Sequence, residues 1–133
     1  MPDLIAIGHV LMDIRIFVDE FPKADEEAKT DKLSLGGGGS AANVAVGASR
    51  LGVKSGFIGS IGFDTFGRVL LEELEHEGVD VAHVKVDTST SSGLTVIAIN
   101  KKGQVIMFGY TGASDKLFPS DLNKEYLSSS EHV

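Results

Sequence analysis

The stretch Gly36-Gly37-Gly38-Gly39-Ser40-Ala41-Ala42-Asn43-Val44-Ala45-Val46-Gly47-Ala48-Ser49-Arg50-Leu51-Gly52 decides how the rest of the chain is read. It reads as a glycine turn running straight into a small-residue helix. Consecutive glycines leave the backbone open to a ligand and reach positive φ at little cost. Ser40 stands where an N-cap belongs. Ala41, Val44, Ala45 and Ala48 recur at helical spacing, with Leu51 one turn on, and are predicted to form the face that meets a sheet. Gly52 is placed to stop the helix. Packing does not explain Asn43. Its amide falls in the first turn, where backbone N–H groups are unpaired and the helix dipole is positive. That setting suits a polar or anionic ligand.

Upstream, Leu4-Ile5-Ala6-Ile7-Gly8 is a continuous apolar run, the pattern of a strand buried on both faces of a parallel sheet. Downstream, Ser55 to Ile61 is a second such run, so strand, helix and strand follow in the order of a parallel α/β unit. Ligands in open α/β sheets gather beyond the carboxyl ends of the strands. Asp13, a few residues past Gly8, is therefore a candidate ligand contact, with a turn or capping aspartate as the structural alternative.

Between these elements, Ile14 to Val18 and Lys29 to Leu35 alternate weakly around a charged, proline-containing connection. They read as an antiparallel pair standing apart from the parallel sheet. Asp64 is placed to cap a helix from about Thr65 to Glu77, with Phe66, Val69, Leu70 and Leu74 inward and its glutamates in water. Gly78 closes that helix. Val79 to Val86 reads as a short strand. Leu94–Ile99 and Gln104–Phe108 flank Asn100-Lys101-Lys102-Gly103 as a hairpin. Gly112-Ala113-Ser114-Asp115 follows, and Pro119-Ser120-Asp121-Leu122 opens a last short helix.

Bulk properties exclude several classes of function. A length of 133 residues is that of one domain with its own core. The formal charge of −7, without a basic cluster, argues against a nucleic-acid surface. No apolar run reaches membrane-spanning length, and Asp3 stands where an export signal would be basic. A cytoplasmic protein is the expectation. With no cysteine there is neither a disulfide framework nor thiolate chemistry. His9, His76, His83 and His132 lack metal-ligand spacing and read as surface or packing residues.

Two nucleotide fingerprints can be tried on the glycine run. Gly37-Gly38-Gly39-Ser40-Ala41-Ala42 formally fits the dinucleotide pattern G-x-G-x-x-A, but that pattern opens the first unit of its fold, and here a strand and a charged segment come first. The phosphate-loop pattern fails, because no Gly-Lys-Ser/Thr follows. A more specific pattern fits. Gly38-Gly39-Ser40-Ala41-Ala42-Asn43-Val44-Ala45, then Gly52 and Gly62, resembles the N-terminal signature of the ribokinase-like (PfkB-type) carbohydrate kinases. Ile61-Gly62-Phe63-Asp64-Thr65-Phe66-Gly67 resembles the family's next landmark, a G-x-D-x-x-G turn. The likeness runs from about Leu4 to Leu122.

The resemblance implies a three-layer α/β fold with a mainly parallel central sheet and a small β-sheet lid, its strands within residues 14–35 and 93–110. It implies that Asp13, Gly38, Gly39, Ser40 and Asn43 bind the hydroxyls of a sugar, sugar acid or nucleoside, which ATP with Mg2+ phosphorylates on a hydroxymethyl group. Leu11 stands where many sugar kinases of this kind carry Asn, which argues against ribose itself. Family members often dimerise through lid strands. The family's catalytic Gly-Ala-Gly-Asp turn, its metal-linked Asn-x-x-Glu segment and its adenine site have no counterpart in residues 1–133. The chain is thus expected to be the N-terminal, substrate-binding and lid portion, with no catalytic residue or metal ligand of its own and no kinase activity alone. A stand-alone sugar- or nucleoside-binding module is the alternative, and a dinucleotide-binding domain a third reading.

Overall fold

The structure, a computed structural model, describes residues 1–133. In chain order the strands are β1 Leu4–Ile7, β2 Leu11–Phe17, β3 Lys32–Gly38, β4 Ser55–Ile58, β5 Ser60–Gly62, β6 Lys85–Asp87, β7 Leu94–Ile99 and β8 Val105–Tyr110. The helices are α1 Ser40–Arg50, α2 Thr65–His76 and α3 Lys124–Ser128, with 3-10 turns at Gly112–Lys116 and Pro119–Asp121.

Parallel pairing organises the centre. β1 runs beside β4 in register from Leu4↔Ser55 to Ile7↔Ile58, and β5 beside β6 from Ser60↔Lys85 to Gly62↔Asp87. Single parallel bridges add Asp80 beside Gly56 and His132 beside Leu4. The run expected as one strand from Ser55 to Ile61 is broken at Gly59. A side chain there would overlap the Phe57 ring and stand 2.8 Å from the Gly8 carbonyl oxygen. The strand expected over Val79 to Val86 shrinks to its last residues, because Val81 to Val84 forms a turn closed by a Val84 N–H to Val81 carbonyl bond.

Alternation along the strands sorts the core into two layers. Ala6 and Phe57 point to the side covered by α1 and α2, where Ala42, Ala45, Leu70 and Leu74 join them. Ile5 and Ile58 point to the other side, against Tyr126 of α3 and the partly buried Leu117, Leu122 and Leu127. Fully burying an apolar side chain such as Phe57 or Leu70 stabilises by roughly 1.5–3 kcal/mol. Three layers result. On the α3 side, the Tyr126 hydroxyl donates to Asp80 Oδ2 at 2.9 Å. It occupies the space a side chain at Gly56 would need. Burial, then that hydrogen bond and the nearby negative charge, push the Tyr126 phenol above its ordinary range.

α1 sits differently on the sheet from its sequence pattern. Ala42 and Ala45 are buried, whereas Val44 is 54% and Leu51 85% exposed. Only the methyl-sized residues face β1 and β4, because the helix lies close on the sheet, with the Ser55 hydroxyl donating to the Ala45 carbonyl at 2.7 Å. Val44 instead borders an open apolar groove along β1. The stops are as expected, with Gly52 at φ +88° and Gly78 at φ +81° just past the ends of α1 and α2. Asp64 caps α2, accepting from the Gly67 N–H at 2.8 Å.

The remaining strands form a separate four-stranded sheet in the order β3-β2-β7-β8, antiparallel at both flanks and parallel between β2 and β7. This sheet corrects the reading of the glycine run. Gly36, Gly37 and Gly38 are strand residues paired with Asp13, Met12 and Leu11, and the turn itself is Gly39 alone, at φ +102°. They stay extended because the ladder to β2 holds them. At Gly37 and Gly38 carboxylates occupy the space a side chain would need, Glu73 beside the first and Asp13 beside the second. Gly39 also takes the N-cap position expected for Ser40, which is instead the first helical residue and makes no side-chain cap bond.

Candidate functional site

Asp13 belongs to β2 and not to a loop after β1. Its side chain lies on the same face of the sheet as those of Leu11 and Arg15, by the alternation of a strand. The carboxylate occupies the volume that a side chain on Gly38 would need, with a Cβ there falling within 2.8 Å of Oδ1. Gly38 is therefore glycine for Asp13's sake. One cation stands near, Arg15, whose Nη2 is 3.5 Å from Asp13 Oδ2.

Gly38 has a second neighbour. Together with Gly37, Ala42, Asn43 and Glu73 it lines a cleft of about 730 Å3 between α1, α2 and the foot of β3. Asn43 is an exposed first-turn residue of α1 whose own N–H bonds to the Gly39 carbonyl at 2.9 Å. Asp13 is not among the walls of this cleft. Gly38 thus borders both features, with the Asp13 carboxylate in the space its own side chain would take and the cleft that Asn43 also lines beside it. Ser40 faces elsewhere, into the shallow apolar groove beside β1 with Ala41 and Val44. Gly39 forms the corner, where its backbone passes so close to His9 that any side chain would overlap the His9 carbonyl oxygen.

Three supporting features escaped the sequence. Glu73, one of several glutamates on the wet face of α2, accepts from the Gly37 N–H at 3.0 Å and ties α2 to the foot of β3. Nothing local marks it among Glu72, Glu73, Glu75 and Glu77, since its partner lies on another element. His9 Nε2 stands 3.5 Å from Asp115 Oδ1, and Asp115 also accepts from the Thr111 hydroxyl. The buried Ser114 hydroxyl donates to the Val10 carbonyl at 2.8 Å, so the Gly112–Lys116 turn is clamped onto the residues after β1.

Asp64 does more than cap. Its Oδ2 accepts the Ser92 N–H at 2.8 Å and its Oδ1 the Ser92 hydroxyl at 2.7 Å. The start of α2 is thereby joined to the segment that enters β7. Partial burial pushes this carboxyl up, but the hydrogen bonds from Ser92 and Gly67 outweigh it and hold the group below its ordinary range. Gly62 and Gly67 are small for the same junction, because a side chain at Gly67 would overlap the Gly62 carbonyl oxygen. The G-x-D-x-x-G turn is a structural lock.

A family model described as pfkB family carbohydrate kinase matches residues 1–133. The chain belongs to that family. Among curated relatives it is 32% identical over 133 residues to an ATP-dependent ribose-1-phosphate kinase of Halopiger xanaduensis, covering all of this chain and 45% of that one. It is 35% identical over 128 residues to a 5-dehydro-2-deoxygluconokinase of Geobacillus thermodenitrificans, covering 94% of this chain and 37% of the relative. Among solved structures, Arabidopsis thaliana ribokinase complexed with ribose and ATP superposes with a TM-score of 0.78 at 26% identity, covering 84% of this chain and 36% of that one. This pfkB-family chain spans less than half the length of the relatives it matches. The ribokinase-like α/β fold is shown by this superposition. No group of three or more His, Asp or Glu in it is arranged to hold a metal ion, and no helix is long and apolar enough to cross a membrane.

Proposed function

We propose that residues 1–133 form the acceptor-binding and lid portion of an ATP-dependent kinase that phosphorylates a hydroxymethyl group on a sugar or sugar derivative. The observation that carries this reading is the place of Gly38, which abuts the Asp13 carboxylate and shares the cleft between α1 and α2 with Asn43. A carboxylate that accepts and an amide that both donates and accepts can bind vicinal hydroxyls and aim one of them at a phosphoryl donor. Gly38, Gly39 and Ser40 bring the backbone close enough for further contacts. The four-stranded sheet acts as the lid over the acceptor, excluding water that would otherwise compete for the phosphoryl group.

Nucleotide, Mg2+ and the base that takes the acceptor proton would be held by residues outside 1–133, and these residues alone would transfer no phosphoryl group. The cytoplasm, where ATP is available, is the compartment this reading requires. ATP-dependent phosphotransfer to a panel of sugars, sugar phosphates, sugar acids and nucleosides tests it, run on the 133-residue chain and on the polypeptide of its whole reading frame. Turnover by the second and none by the first is expected. No turnover of any acceptor by either would leave the stand-alone binding module as the better reading.

The lid's other face offers a seat for a second copy. In-register neighbours place Ile14, Ile16, Leu33, Leu35, Ile106 and Phe108 on it together. Leu35 is 56% and Phe108 67% exposed. Like patches can bury one another across a two-fold axis. Sedimentation should show a dimer that Phe108→Glu converts to monomer, and a monomeric parent chain at high concentration would remove the proposal.

A further inference from the structure

We infer that the acceptor is an anionic sugar, either a sugar phosphate or a sugar acid, and that Arg15 takes its charged group. This rests on the kinase reading above and narrows it to a substrate class.

Along β2, residues two apart share a face, so Leu11, Asp13 and Arg15 form one row, at steps of roughly 6.8 Å. On the β3 side, the residues paired with this row are Gly38, Gly36 and Ser34. No long side chain rises over Asp13 or Arg15 from that side, and a Cβ at Gly36 would stand only 4.0 Å from Arg15 Nη1. On the β7 side, Asp13 is paired with Thr95 and Arg15 with Ile97. The row is thus apolar, acidic and basic in turn, on an open floor.

Arg15 is not spent on its neighbour. Its one ion pair is a single 3.5 Å approach to Asp13, and the side chain is 43% exposed. The chain's other arginine ion pair shows what a committed guanidinium looks like. Arg50 Nη2 and Nε donate to the two Glu77 oxygens at 2.5 and 2.9 Å, a two-pronged fork. A guanidinium carries five N–H donors in a plane that matches a carboxylate or a phosphate. In Arg15 that fork is free beside the carboxylate proposed to hold acceptor hydroxyls.

Charge gives the cation a purpose. The chain carries a formal charge of −7, so its field repels an anionic sugar unless a local cation offsets it. Leu11, adjoining Asp13 in the row, offers a hydroxyl no hydrogen bond. The competing explanation is that Arg15 merely neutralises Asp13. The two differ in a measurable way. A neutralising residue affects neutral and anionic sugars alike, whereas an anion-binding one discriminates between them.

Calorimetric titration of the 133-residue chain with two matched pairs makes the test: D-ribose against ribose 1-phosphate, and D-glucose against D-gluconate. At least one anionic member should bind about 10- to 100-fold tighter than its neutral partner, the range of a charged hydrogen-bonding pair. Arg15→Met should abolish that preference while leaving neutral-sugar affinity within about threefold. Arg15→Lys, which keeps the charge and loses the fork, should restore part of it. A response in the phosphate pair alone assigns a sugar phosphate, and in the carboxylate pair alone a sugar acid. Equal affinity within both pairs, or an Arg15→Met loss that is the same for neutral and anionic sugars, overturns the role of Arg15 and leaves the kinase reading standing. Binding of none of the four sugars counts against the acceptor site itself.

Discussion

Gly39→Ala is expected to destabilise the chain by about 3 kcal/mol or more, a fall of about 10 °C in melting temperature for a domain of this size. Two independent terms add at this position. The backbone is at φ +102°, where an L side chain is strained. The added Cβ would overlap the His9 carbonyl oxygen and stand 2.9 Å from Val10 Cα, and these are backbone atoms that cannot rotate aside. The same segment both follows β1 and receives the Ser114 clamp, so relief by movement would disturb the core around Val10. Gly47→Ala is the control. That residue lies inside α1 with nothing within 4 Å of its added Cβ, and the change should stabilise by about 0.5–1 kcal/mol. Thermal melts of the two variants should move in opposite directions. A Gly39→Ala protein as stable as the parent would show that the turn into α1 is not built as described.

Asp13→Ala should reduce kcat/KM for the acceptor by at least about 100-fold while shifting the melting temperature by only a few degrees. The large functional effect follows from what the carboxylate is proposed to do, which is to orient the reacting hydroxyl. The small structural effect follows from its surroundings, a single 3.5 Å approach to Arg15 and no tight pair. Gly38→Ala should reproduce much of the loss without touching the carboxylate's chemistry, because the new methyl would take the place now held by the Asp13 side chain. Steady-state kinetics of both variants, made in the polypeptide of the whole reading frame and run with the acceptor found in the phosphotransfer panel, decide the matter. If Asp13→Ala kept its kcat/KM within fivefold of the parent, Asp13 would be a structural residue of β2 and the acceptor site would have to lie elsewhere.

Local rules carried much of the reading. A carboxylate before a helix, as at Asp64, and a glycine after one, as at Gly52 and Gly78, act on the backbone within a few residues of themselves. The hairpin around Asn100 to Gly103 is equally self-contained, with the Gly103 N–H bonding back to the Asn100 carbonyl at 3.0 Å. Positions that depend on distant contacts were read less well. Val44 fits the helical period of an inward face, yet it faces outward, because β1 and β4 admit only the alanines beneath α1. Gly36 to Gly38 have the composition of a turn and the conformation of a strand, because β2 supplies their hydrogen-bonding partners. The Ser55 to Ile61 run has no polar break, and it is interrupted where the ring of Phe57 and the Gly8 carbonyl crowd Gly59.

By itself, the order of residues settled the α/β class, the placing of the major helices, the family to which the chain belongs, and Asp13 and Asn43 as the residues to examine. Each of these follows from periodicity, from capping chemistry or from a spaced motif, all of which can be read along one dimension. The tertiary structure alone decided that the Asp13 side chain fills the space beside Gly38, that Gly38 and Asn43 line one cleft, and that Arg15 stands beside Asp13 with its fork largely free. The places of Asp13 and Arg15 arise from the register of β2 against β3 and β7, and a shift of one residue in that pairing would turn both side chains to the opposite face.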